Sequence, residues 1–458
     1  MYALSRKAFR VLFSRIEAED PRRRRLIGLY QGAATSLGNR TISILVSFLS
    51  VPLTIRYLGP ELYGAWITLG SLLTWLHLTD FGLNNGLTNA ITTAVGRERP
   101  DLVRTHLANG FLLLGSIAGL TAIVALAAWP FIDWSALFGV RSARAKSELG
   151  PAVALALAIF LLQFPITITA KIYIAYQEGR IANSWGAAGN LLSLLALVIV
   201  TRTEGGLPWL VIAVSGTGSL VNALNTAWML LWHKPFLRPS FRHADFGSIR
   251  SLGQVGGKFF LIQIMALVTF QTDNFVIGYF LGAAHVPEYS LTYNLFNYAS
   301  LPQALLFSYL WAAYNEAIAR KDIAWVRRAF RLNLAAGMAF SAVAVIGLAV
   351  IARPFIGWWA GPNVVPSGSL IGWMMAWSLI NAFANPIACL LAAASHLRAQ
   401  IVYSAIATAC NLVLSITLVQ RWGVDGVIAA TVVSYAVIVC VPIYVDARSL
   451  IRKLARAA

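Results

Sequence analysis

Charged side chains are few in this sequence: 12% of its 458 residues, against 58% hydrophobic ones. A soluble domain usually carries about a quarter, so an ordinary water-facing surface is excluded and the composition belongs to the membrane class. Acidic residues are fewer still, 18 against 36 basic ones. Cysteine is limited to Cys389, Cys410 and Cys440. All three sit in apolar runs without metal or disulfide spacing, which makes them small core residues and implies neither metal nor cofactor. Signatures of soluble enzymes are missing too. No P-loop, GxSxG, HExxH or CxxC occurs, and "GTGS" (Gly216–Ser219) lies inside an apolar run without a phosphate-loop context. No stretch alternates with period two for long enough to suggest a barrel. The basic N-terminus is not followed by a short apolar core with a cleavage site, so the first span is expected to stay in the mature protein.

What the chain has instead is apolar runs of the roughly 20 residues that cross a bilayer. Mean hydropathy is +0.68. Twelve runs occur, at about 28–57, 62–91, 106–132, 151–173, 181–201, 207–232, 251–281, 288–316, 332–356, 369–394, 400–420 and 427–445. Polar residues crowd the second half of the second run. The expected class is an all-α integral membrane protein of about twelve transmembrane helices. Assigning Lys and Arg to alternate sides puts 26 with the two termini and 7 opposite, with Arg40, Lys171 and Lys258 inside spans. The positive-inside rule then predicts both termini cytoplasmic. The same rule, with anionic headgroups, accounts for the net charge of +18. No nucleic-acid recognition motif accompanies that charge, so no nucleic-acid partner is expected. Leu4, Ala8, Leu12 and Ile16 form one stripe of the basic segment 1–25, which is expected to lie on anionic lipids of the cytoplasmic leaflet.

The two halves repeat. "GRERPDLVRTHLANG" parallels "ARKDIAWVRRAFRLNL", and "WPFIDW" parallels "RPFIGW", at a constant offset that carries Arg104 onto Arg328 and Trp134 onto Trp358. Six spans per half make the repeats parallel, an arrangement found in transporters with a site between lobes. The expected domains are an N-lobe over 26–232, a basic linker over 233–250, a C-lobe over 251–448 and a basic tail over 449–458.

Ionisable and polar groups inside spans are the functional candidates. Ser36, Arg40, Ser43, Ser47, Ser50 and Thr54 are spaced 4, 3, 4, 3, 4, which keeps them on one line of a helix. A guanidinium on that line costs about 3 kcal/mol or more against lipid. The stripe should therefore face a cavity or protein, and hydroxyls alone would also suit helix packing. His77, Asp80, Asn84 and Thr88 follow at spacings 3, 4, 4, again one face of the second span. Arg40 and Asp80 lie equally far from the hairpin between them, so an ion pair is expected, either fixing register or switching to free the guanidinium. In the second half Lys258 either lines the cavity or snorkels to the interface. Asp273 reads as a cation site, an outer gate or a helix-packing acid bonded to Asn297. Pro52, Pro165, Pro302 and Pro386 interrupt spans, as helices that bend require.

"LGPELYGAWITLGSLLTWLHLTDFGLNNGLTNAI" and "TDNFVIGYFLGAAHVPEYSLTYNLF" resemble the polysaccharide transporter (Wzx-type O-antigen flippase) branch of the multidrug/oligosaccharidyl-lipid/polysaccharide (MOP) exporter superfamily. The likeness runs from about Leu26 to Arg448. It is a pattern of Gly, Pro, Tyr and Asn at helix ends rather than a catalytic signature. It implies a transporter, not an enzyme, that moves undecaprenyl-pyrophosphate-linked oligosaccharides across the bacterial inner membrane by alternating access through a cationic cavity. Arg40 then becomes the expected pyrophosphate ligand, with Asp273 and Asp80 as coupling or gating candidates. A polysaccharide polymerase or export machinery is the expected protein partner. The alternatives are a cation-coupled multidrug exporter of the same superfamily and, against the short outer loops, a membrane enzyme of glycan assembly.

Overall fold

The computed structural model describes the backbone of residues 21–80, 83–239, 264, 271–394 and 397–457, and most of their side chains from Ala34 onward. The expected surface stripe over 1–20, most of the linker, and Lys258 lie outside the described residues. So does the Asp80 side chain, and with it the expected pair to Arg40.

The described residues form helices and turns, with no strand among them. In chain order the helices are α1 (Pro21–Leu76), α2 (Leu83–Gly96), α3 (Pro100–Ala128), α4 (Trp134–Phe138), α5 (Ala143–Gln163), α6 (Ile168–Ala175), α7 (Gly179–Val200) and α8 (Gly206–His233). They continue as α9 (271–281), α10 (Val286–Asn297), α11 (Leu301–Ala319), α12 (Ile323–Trp359), α13 (Gly368–Ala393), α14 (Leu397–Trp422) and α15 (Val424–Leu454). Among the described residues nine helical stretches are long and apolar enough to cross a membrane. The chain is a multi-pass membrane protein.

Nine and the expected twelve differ for local reasons. The first two expected spans form one stretch, Ala34–Leu76, broken at Gly59 (φ 76°, ψ 168°). Glycine alone enters that left-handed region without a Cβ penalty, so the helix kinks there. The seventh expected span falls largely outside the described residues. The eighth is interrupted by a tight turn at Tyr298–Ser300, where Ser300 Oγ donates to the Asn297 carbonyl at 2.7 Å.

The second expected span also needs correction. The helix stops at Leu76, makes one 3₁₀ turn over His77–Asp80, and restarts at Leu83. Within this turn Thr79 Oγ1 donates to the Leu76 carbonyl at 2.7 Å, and Gly82 follows in the sequence. His77 and Asp80 therefore do not share a helical face with Asn84 and Thr88.

The chain divides into two compact units. Unit 1 is Met1–Leu58, Leu73–Trp134 and Lys146–Leu261; unit 2 is Gly59–Leu72, Ser135–Ala145 and Ile262–Ala458. In unit 1 the stripes Leu83, Leu87, Ile91 of α2, Val103, Leu107, Leu114 of α3 and Ile168, Ile172 of α6 meet in one core. Gly110 lets them close: a Cβ there would lie 3.0 Å from Ile168 Cδ1 and 3.1 Å from Leu87 Cδ1. Farther along α3, Leu120, Ile123, Val124 and Leu126 are exposed. That surface suits lipid tails, and the helices are held by close packing and interhelical hydrogen bonds rather than by escape from water.

Unit 2 is organised on α13 and α15, whose apolar windows are the most buried, 56% and 61%, against 11% for α12. Val345, Met374, Trp377, Val427 and Ile428 belong to one core, and Tyr314, Ile387, Leu390 and Ile443 to a second. Ser367 caps α13 by accepting from the Leu370 N–H at 2.9 Å, and Asp322 caps α12 by accepting from the Trp325 N–H at 3.0 Å.

Candidate functional site

The polar line of α1 does not stay together. Asn190 of α7 donates to Ser43 Oγ at 2.7 Å and reaches Asn39 Oδ1 at 3.4 Å, and Asn183 donates to Thr35 Oγ1 at 3.2 Å. Gly186 makes room, since a Cβ there would lie 3.0 Å from Asn39 Nδ2. These contacts form a polar seam between α1 and α7. Ser43 and Ser50 are half-buried along it, whereas Ser36, Arg40 and Ser47 are exposed. At 3.6 residues per turn the exposed trio lies about 80° round the helix from the seam, and Leu37, Ile44 and Phe48, also exposed, about 80° farther. Arg40 thus sits between a protein seam and an apolar face. No ion pair to Arg40 is found among the described residues.

Farther into unit 1, other carboxamides converge. Ser219 Oγ donates to Gln163 Oε1 at 2.8 Å, the Thr169 and Thr226 hydroxyls meet at 2.7 Å, and the Tyr173 hydroxyl donates to Asn225 Oδ1. Around them open two clefts. One, of about 330 Å³, is lined by Ser50, Asn190 and Ser193 among others; the second, of about 260 Å³, by Gln163, Lys171 and Asn225. Trp185, Gly186 and Asn222 line both.

A family model described as polysaccharide biosynthesis protein matches residues 29–314, more than half of the chain. The chain belongs to that family. Similar proteins include one named as a putative O-antigen export protein of Yersinia pseudotuberculosis, 24% identical over 62% of this chain. This chain spans 64% of that relative's length. Another, named as a putative O-antigen transporter of Salmonella typhi, is 22% identical over 70% of this chain and 72% of its own. Among solved structures, a multidrug resistance MATE family transporter of the MOP superfamily, in an inward-facing conformation, matches with TM-score 0.77. It covers 91% of this chain and 96% of its own at 14% identity, a likeness of fold.

Within this family fold the other expected residues scatter. His77 is exposed, its ring edge-on to Phe160 at 4.9 Å. Asn84 lies on α2, its Oδ1 3.5 Å from the Thr167 hydroxyl. Of the residues singled out in the sequence, Ser50 lines a cleft among the described residues. Asp273 is buried in unit 2 and accepts from the Tyr289 hydroxyl rather than from Asn297. Its Oδ1 has no partner among the described residues. Next to it, Asn274 donates to Ser71 Oγ and accepts from Ser290 Oγ, each at 2.9 Å.

The residues that sequence reasoning missed are Gln163, Trp185, Asn190 and Asn222, with Lys171 noted only as an intramembrane charge. A signal for them exists: asparagines seven apart (Asn183, Asn190) and three apart (Asn222, Asn225) inside apolar runs mark polar helix faces.

Proposed function

We propose that this protein is a flippase of the bacterial inner membrane, with both termini cytoplasmic. It translocates undecaprenyl-pyrophosphate-linked oligosaccharide units to the outer leaflet by alternating access, for O-antigen, capsule or exopolysaccharide synthesis. Family membership and relatives named for O-antigen export support the substrate class. The observation that carries the reading is the position of Arg40: an exposed guanidinium on an apolar helix, flanked by Ser36 and Ser47 on one side and by Leu37, Ile44 and Phe48 on the other. A guanidinium offers forked donors to pyrophosphate oxygens. The adjoining apolar face suits a polyprenyl tail, while the sugar is too polar to cross hydrocarbon unaided.

The test follows the lipid-linked oligosaccharide in cells lacking the protein and in cells complemented with Arg40→Ala. Accumulation of the intermediate in both is the expected result. No accumulation in the deletion would overturn the reading. A second reading, a cation-coupled multidrug exporter, draws on the buried carboxyl of Asp273. It requires dye sensitivity in the deletion and loss of function with Asp273→Ala but not with Arg40→Ala.

A further inference from the structure

The two clefts of unit 1 have no role in the argument from Arg40, which lines neither of them among the described residues. Their chemistry is unusual for a membrane interior. A helix bundle in lipid can close its contacts with small residues alone. Here carboxamides and hydroxyls from α1, α5, α6, α7 and α8 face common open space.

Three features specify a ligand. Asn222 lines both clefts, and its carboxamide makes no hydrogen bond among the described residues. It therefore presents two donors and an acceptor. That mix matches sugar hydroxyls, which donate and accept alike. Trp185 also lines both clefts, next to Gly186, and an aromatic face beside amides pairs an apolar surface with polar tips. Sugar rings present the same combination, C–H groups on a face and hydroxyls at the rim. Finally, Lys171 lines the second cleft within an expected span. An intramembrane cation is a functional-site candidate by default. The volumes, about 330 and about 260 Å³, lie one at the lower end of small-molecule sites and one just below it, room for a sugar unit and not for a whole oligosaccharide.

We infer that the adjoining clefts are a saccharide subsite, in which Asn222 and Trp185 hold one sugar ring and Lys171 selects a ring bearing negative charge. This deepens the flippase reading and rests on it for the origin of the sugar. The anionic group is a uronate carboxylate or a sugar phosphate, and both present oxygens to an ammonium.

The experiment uses the full-length protein in lipid nanodiscs and saturation-transfer NMR to three probes: methyl glucoside, methyl glucuronide and glucose 1-phosphate. The expected result is transfer to an anionic probe several-fold above that to methyl glucoside. Preference for the glucuronide assigns a carboxylate, and preference for glucose 1-phosphate a phosphate. Asn222→Leu and Trp185→Leu should suppress transfer to every probe. Lys171→Met should remove the anionic preference, while Lys171→Arg retains it. If Asn222→Leu fails to fold, Asn222→Ser, which loses the donor pair, takes its place. Absence of transfer from the wild type to all three probes overturns the subsite, as does transfer that Asn222 and Trp185 substitutions leave intact. Intermediate that accumulates in deletion cells without glycoside binding removes the subsite and keeps the flippase. Glycoside binding without accumulation does the reverse.

Discussion

Asn190 donates to Ser43 Oγ at 2.7 Å across 147 residues of chain, and this bond ties the first helix to α7. Interhelical bonds of this kind contribute about 0.6 kcal/mol on average in a membrane protein, and up to about 1.7. Ser43→Ala and Asn190→Ala should each lower the thermal unfolding midpoint in detergent. A double-mutant cycle should return a coupling on the order of 1 kcal/mol. Strict additivity would show that the seam is held by shape alone.

Three glycines make a graded series. Gly59 has φ +76° and ψ 168° with open space at its Cβ position, so Gly59→Ala should cost strain alone, about 1–3 kcal/mol. Gly139 combines φ +67° with a Cβ position that overlaps the Gly278 carbonyl group, so Gly139→Ala must also move backbone. It should be the most destabilising of the three. Gly115 is helical with nothing near its Cβ position, and Gly115→Ala should be neutral or stabilising by up to about 1 kcal/mol. Unfolding midpoints of the three variants check the order.

The Asp273 and Tyr289 pair should behave non-additively. Tyr289→Phe removes the donor that Asp273 uses and strands a buried carboxyl group, at a cost of about 1–3 kcal/mol. Removing the acceptor as well, with Asp273→Leu, should recover part of that loss. A double variant less stable than the sum of the two single ones would contradict this account.

At Arg40 the expected order of flippase activity is wild type, then Arg40→Lys, then Arg40→Gln. Lysine keeps the charge and loses the forked donors, whereas glutamine loses both. A charge-assisted bond contributes about 1.5–3 kcal/mol, so Arg40→Gln should lower activity by at least about tenfold. Equal activity of Arg40→Lys and Arg40→Gln, measured by accumulated intermediate, would remove charge from the role of this residue.

Two negative charges moving outward gain up to roughly 4–5 kcal/mol per 100 mV of inside-negative potential. Transport in vesicles should therefore speed up under a potassium-diffusion potential of that sign and slow under the opposite one. Indifference to both signs would show that the potential does not drive the step.

The sequence by itself determined the membrane class, the helical runs and the polar line on the first helix, because composition and periodicity are local properties. It also located a break in the helix near Gly59, since a gap between two apolar runs is visible in one dimension. It did not reveal where the second run breaks: polar residues crowd its second half, and the 3₁₀ turn over His77–Asp80 falls at the start of that stretch. Nor did it divide the polar line, which needs α7 in place before Ser43 can be told from Arg40. Only the tertiary structure brought Gln163, Lys171, Trp185 and Asn222 round common space and gave Asp273 the hydroxyl of Tyr289. Periodicity states which face of a helix is polar, and packing between helices far apart in the chain decides what that face meets.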